Sequence, residues 1–462
     1  MTFANIMNSV GNFLESAIWI IGILVVYQIG FRFLGFLFKA KRYKPTEKQF
    51  KYAVMIAARN EDKVIAQLVA SIKKQNYPAD LITIFVVADN CTDNTADVAR
   101  EAGAVVYERV NPPPKLRKKG CALDFLVRNI EKDYGVANFD GFFIFDADNL
   151  LSPSYITEMN KAFANPAFDF WNSYINVKNF GTSFISSFSS ITLYADTFGS
   201  MRPMSLLGLS KRKRGTGCLV RSHFLNNGYP WQNMCEDKQF TISAVSRGYR
   251  SQYVEAAEFF DEQPQNFRVI MRQRMRWAKG NFLLFCRCVP RLLVALVLPY
   301  DFRRKRKRGE KRAKFNPITE IQKRLSVYET LFSIVPTSIL TFIYGIAFPV
   351  AEIICGLCIP AYTVNLMPTL LYYIGVYAML LLSFFLTVVR EHKKMRINPW
   401  KLLLFLPFWP LISITVEYAS LWAIITPLPW RPIPHYENKE IENIYDEKTL
   451  AERLYQKQST GV

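Results

Sequence analysis

The sequence predicts an α/β domain with a largely parallel sheet, inserted between membrane-associated helices. Between residues 50 and 260, short apolar runs alternate with amphipathic stretches, as strands alternate with crossover helices. Outside those limits the chain turns apolar for long enough to cross a bilayer, at residues 16–38 and again from 327 onward. A third observation marks one place. Phe142 to Phe145 reads as a strand buried on both faces that ends in Asp146 and Asp148.

The totals narrow the partners. In 462 residues, 58 Lys and Arg stand against 38 Asp and Glu, a net charge of +20. That balance points to phospholipid or nucleotide. Nucleic acid is not expected as a partner, because no zinc-finger spacing and no RNP-type motif occurs. Cys355-x-x-Cys358 lies alone in an apolar run, without the second pair a zinc site needs.

Residues 1–40 are expected to hold a transmembrane helix. The basic run after residue 38 puts its C-terminal side in the cytoplasm. Residues 41–266 form the α/β domain, with strands at 52–57, 82–88, 104–108 and 142–145 and helices at 61–74, 93–102 and 120–130. Residues 267–326 are amphipathic. Arg268, Arg272, Arg274, Arg276, Lys279, Arg287 and Arg291 make a spanning helix costly and favour helices on the membrane surface. The basic loop at 301–314 suits anionic lipid. Residues 327–428 carry three apolar segments, 327–357, 366–389 and 400–425, which makes four spans in all. Pro407, Pro410 and Glu417 leave the last of them open to an interfacial helix followed by a shorter span. Residues 429–462 are a polar, nearly neutral tail.

The acidic motif sits where open α/β sheets hold ligands, at strand C-termini. Two carboxylates one residue apart, Asp146 and Asp148, can share a hard divalent cation that takes its other ligands from water and phosphate. The loop after the first strand carries Ala57, Arg59 and Glu61; the loop after the second carries Asp89, Asn90 and Asp93. Helix capping competes as a role for Asn60, Thr92 and Asp93. Lys119 precedes Gly120 at a helix start, where backbone N–H groups can face an anion. Glu236 and Asp237 open another helix. Asp237 is the candidate general base, and acids favoured by the helix dipole are the competing explanation. In Gln273-x-x-Arg276-Trp277, Arg276 can neutralise phosphate charge and Trp277 offers a face for a sugar ring.

Asp89, Asp146-Ala147-Asp148, Glu236-Asp237 and Gln273-x-x-Arg276-Trp277, in that order, resemble the D, DxD, (T/G)ED and QxxRW set of the membrane-integrated family-2 glycosyltransferases. These are the processive synthases of cellulose, chitin, hyaluronan, poly-N-acetylglucosamine and bacterial β-glucans. The resemblance implies a GT-A fold: a Rossmann-like nucleotide-diphospho-sugar-binding cytosolic domain between transmembrane helices, with amphipathic interface helices. It implies that Asp89 and the Ala57, Arg59 and Glu61 loop contact uridine, and that Lys119 contacts the diphosphate. Asp146 and Asp148 would hold the nucleotide and its Mg²⁺ or Mn²⁺. Asp237 would be the base beside Glu236, while Gln273, Arg276 and Trp277 would hold the acceptor sugar and leaving diphosphate. Gly215-Thr216-Gly217 resembles the acceptor-side segment. Cys235 departs from the usual Thr or Gly, and Asn149 from the usual Thr.

The implied activity is inverting, processive polymerisation of a β-linked polysaccharide from a UDP-sugar, with UDP-glucose to a β-glucan first. Poly-N-acetylglucosamine synthesis and single transfer to a membrane lipid are the alternatives. The implied partners are the UDP-sugar, the growing polysaccharide and the bilayer. The implied place is a bacterial plasma membrane, multi-pass, with the catalytic domain cytoplasmic. Too few residues follow 425 for a cyclic-di-GMP-binding barrel, so none is expected in cis. Trp409, Tyr418, Trp422, Glu352 and Glu417 are candidates to line a product path.

Overall fold

The computed structural model describes residues 3–298, 316–360, 362–395, 399–426 and 441–444. The strands are β1 (Tyr52–Ala58), β2 (Ile82–Asp89), β3 (Val105–Arg109), β4 (Gly141–Asp146), β5 (Leu150–Leu151), β6 (Phe170–Val177), β7 (Cys218–Arg221) and β8 (Ser251–Asp261). They form one eight-stranded sheet in the order β3-β2-β1-β4-β7-β6-β8-β5. The pairs among β1 to β4 are parallel, as the alternation predicts. The other half differs. β7 runs antiparallel between β4 and β6, and β5 runs antiparallel to β8. A four-residue apolar strand such as β7 carries no period that reports its direction.

Alternation along β4 explains its unbroken apolar run. Phe142 and Ile144 enter one core, and Phe143 and Phe145 the other. The first core is closed by the helix Lys119–Asp133 and the second by Ile65–Lys73 and Tyr155–Phe163. Leu123, Leu126, Val127 and Ile130 of the first helix make one helical stripe, each almost fully buried. Each such side chain contributes roughly 1.5–3 kcal/mol.

The helices are α1 (Phe3–Leu37), α2 (Ile65–Lys73), α3 (Thr95–Glu101), α4 (Lys119–Asp133), α5 (Tyr155–Phe163), α6 (Phe184–Asp196), α7 (Arg202–Leu206), α8 (Glu236–Val245) and α9 (Phe267–Val297). They continue with α10 (Pro317–Phe332), α11 (Thr337–Cys358), α12 (Met367–Glu391), α13 (Pro399–Phe405), α14 (Phe408–Ile425) and α15 (Ile441–Ile444). Five helical stretches are long and apolar enough to cross a membrane: Asn5–Leu37, Phe267–Val297, Thr337–Cys358, Met367–Lys394 and Phe408–Ile425. The basic loop at 301–314 lies outside the described residues, as does the 429–462 tail apart from α15.

Several contacts fasten these helices to the α/β domain. A Cβ on Gly35 of α1 would lie 1.9 Å from the Phe198 carbonyl oxygen, in the π turn between α6 and α7. Only glycine allows that approach. Arg202 donates to Glu391 at the end of α12 at 2.9 Å, and Lys394 lies over the Tyr174 ring at 3.3 Å. In α10, Gln322 accepts from Arg250 at 2.9 Å and Ser326 accepts from the Ser210 N–H at 2.8 Å. Ile441 and Ile444 of α15 pack on Leu150 and Phe260, and Lys74 pairs with Glu442 at 2.7 Å.

Two of the side chains expected to line a product path, Glu352 and Trp409, are engaged by neighbours. Glu352 accepts from Tyr362 at 2.9 Å and from the Asn365 N–H at 2.7 Å, which pins the turn after α11. Trp409 is buried against Phe384. Trp422 is 62% exposed on the outer surface of the helices. Tyr418 meets Tyr373 inside the helix bundle, and Glu417 accepts from Thr337 at 3.0 Å.

Candidate active site

Sheet register brings the first motifs to one edge. Ala57 stands opposite Asp146, Ala58 opposite Ala88, and Asp89 opposite Arg109. This is the C-terminal edge of the parallel half. Asp89 is buried, and Arg109 clasps its Oδ1 at 2.7–2.8 Å. Arg109 also donates to the Leu116 carbonyl at 3.0 Å, which ties down the approach to Lys119. Sequence reasoning missed Arg109. Its signal was a cation ending the strand next to the one that ends in Asp89.

The two neighbouring loops are stitched together. Asn60 donates to Thr92 Oγ1 at 3.1 Å and accepts from its N–H at 2.9 Å. Glu61 N–H donates to Thr95 Oγ1 at 2.8 Å. Asp93 accepts from the Thr95 and Asp62 N–H groups. Asn60 and Thr92 therefore join loops instead of capping helices. Arg59 and Glu61 are half-buried on this platform.

Asn149 is the hub behind the paired acids. It is fully buried and donates to Asp261 at 2.8 Å and to Asp148 at 3.3 Å. It also contacts Thr216 Oγ1 and accepts from the Asp146 N–H at 3.2 Å. Asp148, 3% exposed, accepts from the Glu262 N–H as well. The departure from the resembled motif at Asn149 thus holds the Asp148 carboxylate and the Asp146 backbone. No three His, Cys, Asp or Glu side chains converge as a metal cage among the described residues. Two hard oxygen donors at a strand end fit a cation that completes its shell with water and phosphate oxygens.

Lys119 contacts Asp146 and donates to the Gly215 carbonyl at 2.8 Å, so it links the paired acids to the Gly215-Thr216-Gly217 segment. Burial works against its charge, but Asp146 and Glu236 outweigh burial and hold its pKa above the usual lysine value. Gly120, next to it, lies against the Trp231 carbonyl, where a Cβ would come within 2.0 Å.

Glu236 and Asp237 begin α8. Burial and the adjacent Asp237 charge raise the Glu236 pKa, against the pull of Lys119 and Lys213. Asp237 is half-buried, and its carboxylate accepts no hydrogen bond from a described residue. Burial, assisted by Arg212, lowers neighbouring Lys238 to about 8. Cys235 donates its thiol to the Trp277 carbonyl at 3.6 Å, and burial with the Asp237 charge pushes the thiol up to about 12. A Cβ on Gly280 would lie 2.6 Å from Cys235 Sγ. α8 and α9 thus pack in contact, with Cys235, two residues before Asp237, against the Trp277 carbonyl and Gly280.

On α9, the Gln273 Oε1 is buried with no hydrogen-bond partner among the described residues. Arg274 covers one face of Trp277, with its Cζ 4.6 Å from the ring centroid. Arg276 is half-buried, with its charge close to Cys235. Sequence reasoning did not single out Arg274, nor the cations Lys211 to Arg214. Arg212 and Arg214 lie 3.5 and 3.3 Å from Asp196. Four consecutive cations directly before Gly215-Thr216-Gly217 were a visible signal.

The probable glycosyltransferase YdaM of Bacillus subtilis (strain 168) is 26% identical over 281 residues, covering 58% of this chain and 64% of that protein. The beta-monoglucosyldiacylglycerol synthase of Synechocystis sp. is 22% identical over 239 residues, covering 50% and 47%. The chain thus spans about half to two thirds of the length of these curated relatives. Among solved structures, a mannosyltransferase, PcManGT from Pyrobaculum calidifontis in complex with GDP-Man and Mn²⁺, aligns with a TM-score of 0.53 at 14% identity. The alignment covers 90% of this chain and 99% of that one. The fold is therefore the GT-A fold, with long apolar helices flanking it. The family described as glycosyltransferase like family 2 matches residues 49–280, from the start of β1 to the contact of Gly280 with Cys235, and the chain belongs to that family of enzymes.

Proposed function

We propose that this chain is an inverting, membrane-bound glycosyltransferase that extends a β-linked glycan from a UDP-sugar, UDP-glucose in the first instance. The observation that carries the proposal is the close packing of α8 on α9. Cys235 meets the Trp277 carbonyl and Gly280 there, which supports a role for the adjacent Asp237, whose carboxylate accepts no hydrogen bond from a described residue, together with Gln273, Arg276 and Trp277. Asp237 takes the proton of an acceptor hydroxyl. That oxygen bonds to the anomeric carbon from the face opposite the diphosphate. The carbon–oxygen bond to the diphosphate breaks, UDP leaves with the electron pair, and the α-linked donor yields a β-linkage. Lys119 and Arg276 offset the charge that gathers on the leaving group. Asp89, Ala57, Arg59 and Glu61 form the nucleoside side, with the Asp89 carboxylate held in place by Arg109. Asp146 and Asp148 would hold Mg²⁺ or Mn²⁺, which when bound supplies Lewis-acid stabilisation of the diphosphate.

In the proposed membrane arrangement, α1, α11 and α12 cross, while α9 and α14 lie at the interface. Trp409 near the start of α14 meets Phe384, a turn or two before the end of α12 that is tied to the α/β domain. The other end of α14 accepts from Lys279 of α9 through the Thr426 carbonyl. Three crossings leave α15 on the same side as the domain it packs on. The catalytic domain faces the cytoplasm of a bacterial plasma membrane.

A second reading, single transfer to a membrane lipid, is favoured by the relative named for diacylglycerol glucosylation and by a cavity lined in part by the apolar helices α1 and α12. One experiment separates the two. The protein is reconstituted with Mg²⁺ or Mn²⁺ and offered UDP-glucose and UDP-N-acetylglucosamine separately, and both UDP release and product size are measured. A high-molecular-weight product digestible by a β-linkage-specific glycanase is the expected result. A discrete lipid-linked product replaces it with the second reading. Absence of UDP release from every UDP-sugar overturns both.

A further inference from the structure

A cavity of about 280 Å³ lies between α1, α6 and its π turn, α10 and α12. Phe31 and Arg32 of α1 line it beside Leu380, Ser383 and Phe384 of α12. Asp196, Lys211 and Glu329 complete its charged lining. Arg32 stands in α1 five residues before Leu37, where the helix ends and the basic run begins. That is roughly 7–8 Å along the helix from its end.

Three features give this cavity a chemistry. First, Arg32 is a cation without a carboxylate of its own. It donates Nε to Ser383 Oγ at 2.9 Å and Nη1 to the Gln28 carbonyl at 3.3 Å. Both acceptors are neutral, and its Nη2 group has no acceptor among the described residues. Second, the carboxylates that line the cavity are matched by other cations. Asp196 takes Arg212 at 3.5 Å and Arg214 at 3.3 Å. Burial opposes its charge, but Arg212, Lys211 and Arg214 outweigh burial and hold its pKa below the usual carboxylate range. Glu329 is engaged by Lys211 at 3.8 Å and by the Tyr27 hydroxyl, and its Oε1 is closed off from solvent. Third, Arg32 is held in place. Its stem crosses Gly199 of the π turn, where a Cβ would meet Arg32 Cγ at 2.9 Å. With Nε on Ser383, the guanidinium is fixed between the π turn and α12.

We propose that this cavity binds the phosphate of one lipid head group, with Arg32 Nη1 and Nη2 donating to its oxygens. A guanidinium fork matches phosphate oxygens in a plane. A cation inside a span normally faces a partner or a polar cavity, and the unmatched fork supplies the one that an anion would complete. Phe31, Leu380 and Phe384 flank the cation on the same two helices, which suits acyl chains lying against α1 and α12 beside the bound head group. Both helices are long and apolar enough to cross a membrane, and basic pockets between such helices on the cytoplasmic side hold anionic head groups. Free phosphate offers the same oxygens but nothing for the apolar side chains. The claim rests on the proposed bilayer placement of α1 and α12, and not on the choice of donor or acceptor.

The test measures binding without turnover. The full chain in maltoside micelles is titrated calorimetrically with dioctanoyl phosphatidic acid, with dioctanoylglycerol and with inorganic phosphate, and the heats of empty micelles are subtracted. UDP is titrated in parallel. Phosphatidic acid is expected to bind more tightly than either of the other probes. Arg32→Gln is expected to weaken that binding about tenfold or more, as loss of hydrogen bonds to a charged group does, and to leave UDP binding unchanged. Ala195→Phe keeps every charge and fills the cavity from a half-buried lining position. It is expected to remove the binding and serves if Arg32→Gln does not fold. Lys39→Gln removes an exposed cation just beyond α1 and is expected to change little. The site is overturned if phosphatidic acid does not bind, if dioctanoylglycerol binds as tightly, or if neither cavity variant weakens binding. It is also overturned if Lys39→Gln weakens binding as much as Arg32→Gln, which would mark a diffuse surface attraction. Inorganic phosphate binding as tightly as phosphatidic acid would overturn the lipid as source. Each of these failures leaves the transferase reading standing, since that reading is judged by UDP release.

Discussion

The sheet edge and the helices α9 and α10 of this enzyme are built in different ways. At the edge, the acidic groups are already held by neighbours in the same domain. Arg109 clasps Asp89, Asn149 holds Asp148, and Lys119 meets Asp146. On α9 and α10, polar atoms are buried and left open: Gln273 Oε1, Asn281 Oδ1 and Glu329 Oε1 have no hydrogen-bond partner among the described residues. A donor that is the same in every cycle suits a preformed site, in which no reorganisation is needed at the moment of reaction. On the proposed reading, an acceptor that binds and leaves in each cycle suits groups that are satisfied only while it is present.

The comparison can be broken by substitution on either side. The largest effect falls on Asp237→Asn, which is expected to lower turnover by about 10²–10⁴-fold. UDP affinity should stay intact, since Asp237 belongs to the acceptor side. Loss of UDP binding in that variant would erase the division. Arg109→Ala comes next. It leaves a buried carboxylate without its cation, which costs about 3–5 kcal/mol. Thermal or urea unfolding reads that loss, and Arg109→Lys should recover part of it. An unchanged melting profile would show that the edge is not held together as described.

Gly280→Leu is a smaller, one-sided change. Its side chain cannot fit beside Cys235, so α9 must shift from α8 at a cost of about 1–3 kcal/mol. Transfer should fall more than donor binding does, read as a drop in kcat with UDP affinity retained. The smallest effect is the pH dependence of Glu236. Its pKa is raised by burial and by Asp237, so the folded chain holds this proton more tightly than the unfolded chain. The stability linked to that proton is present at acid pH and is lost as pH rises through the unfolded and then the folded pKa. Glu236→Gln should therefore gain in melting temperature relative to the parent as pH rises from about 4 to 8. An opposite slope would mean that Lys119 and Lys213 outweigh burial.

Much of the donor edge was legible without coordinates. β4 announces itself as an aromatic run buried on both faces, and its end must carry Asp146 and Asp148 to the ligand edge of a parallel sheet. Asp89 and the Ala57 to Glu61 loop follow by the same rule. The partners of these residues were not legible. Asp89 is separated from Arg109 by 20 residues and Asn149 from Asp261 by 112. Nothing in local pattern says which cation or amide will arrive. Trp277 read as an open sugar platform, yet Arg274 lies over one face of it. Three residues along a helix do not reveal how a side chain will fold back.

By itself, the sequence determined β1 to β4, the helices between them and the residues offered at their ends, because apolar period and strand length are local properties. Tertiary structure alone decided the antiparallel insertion of β7, the packing of α8 on α9 through Gly280 and Cys235, and the cavity shared by α1, α6, α10 and α12. Each of these depends on surfaces that meet only after distant segments have packed. The fit of those surfaces, and not the composition of any one segment, fixes which polar atoms are paired and which remain open.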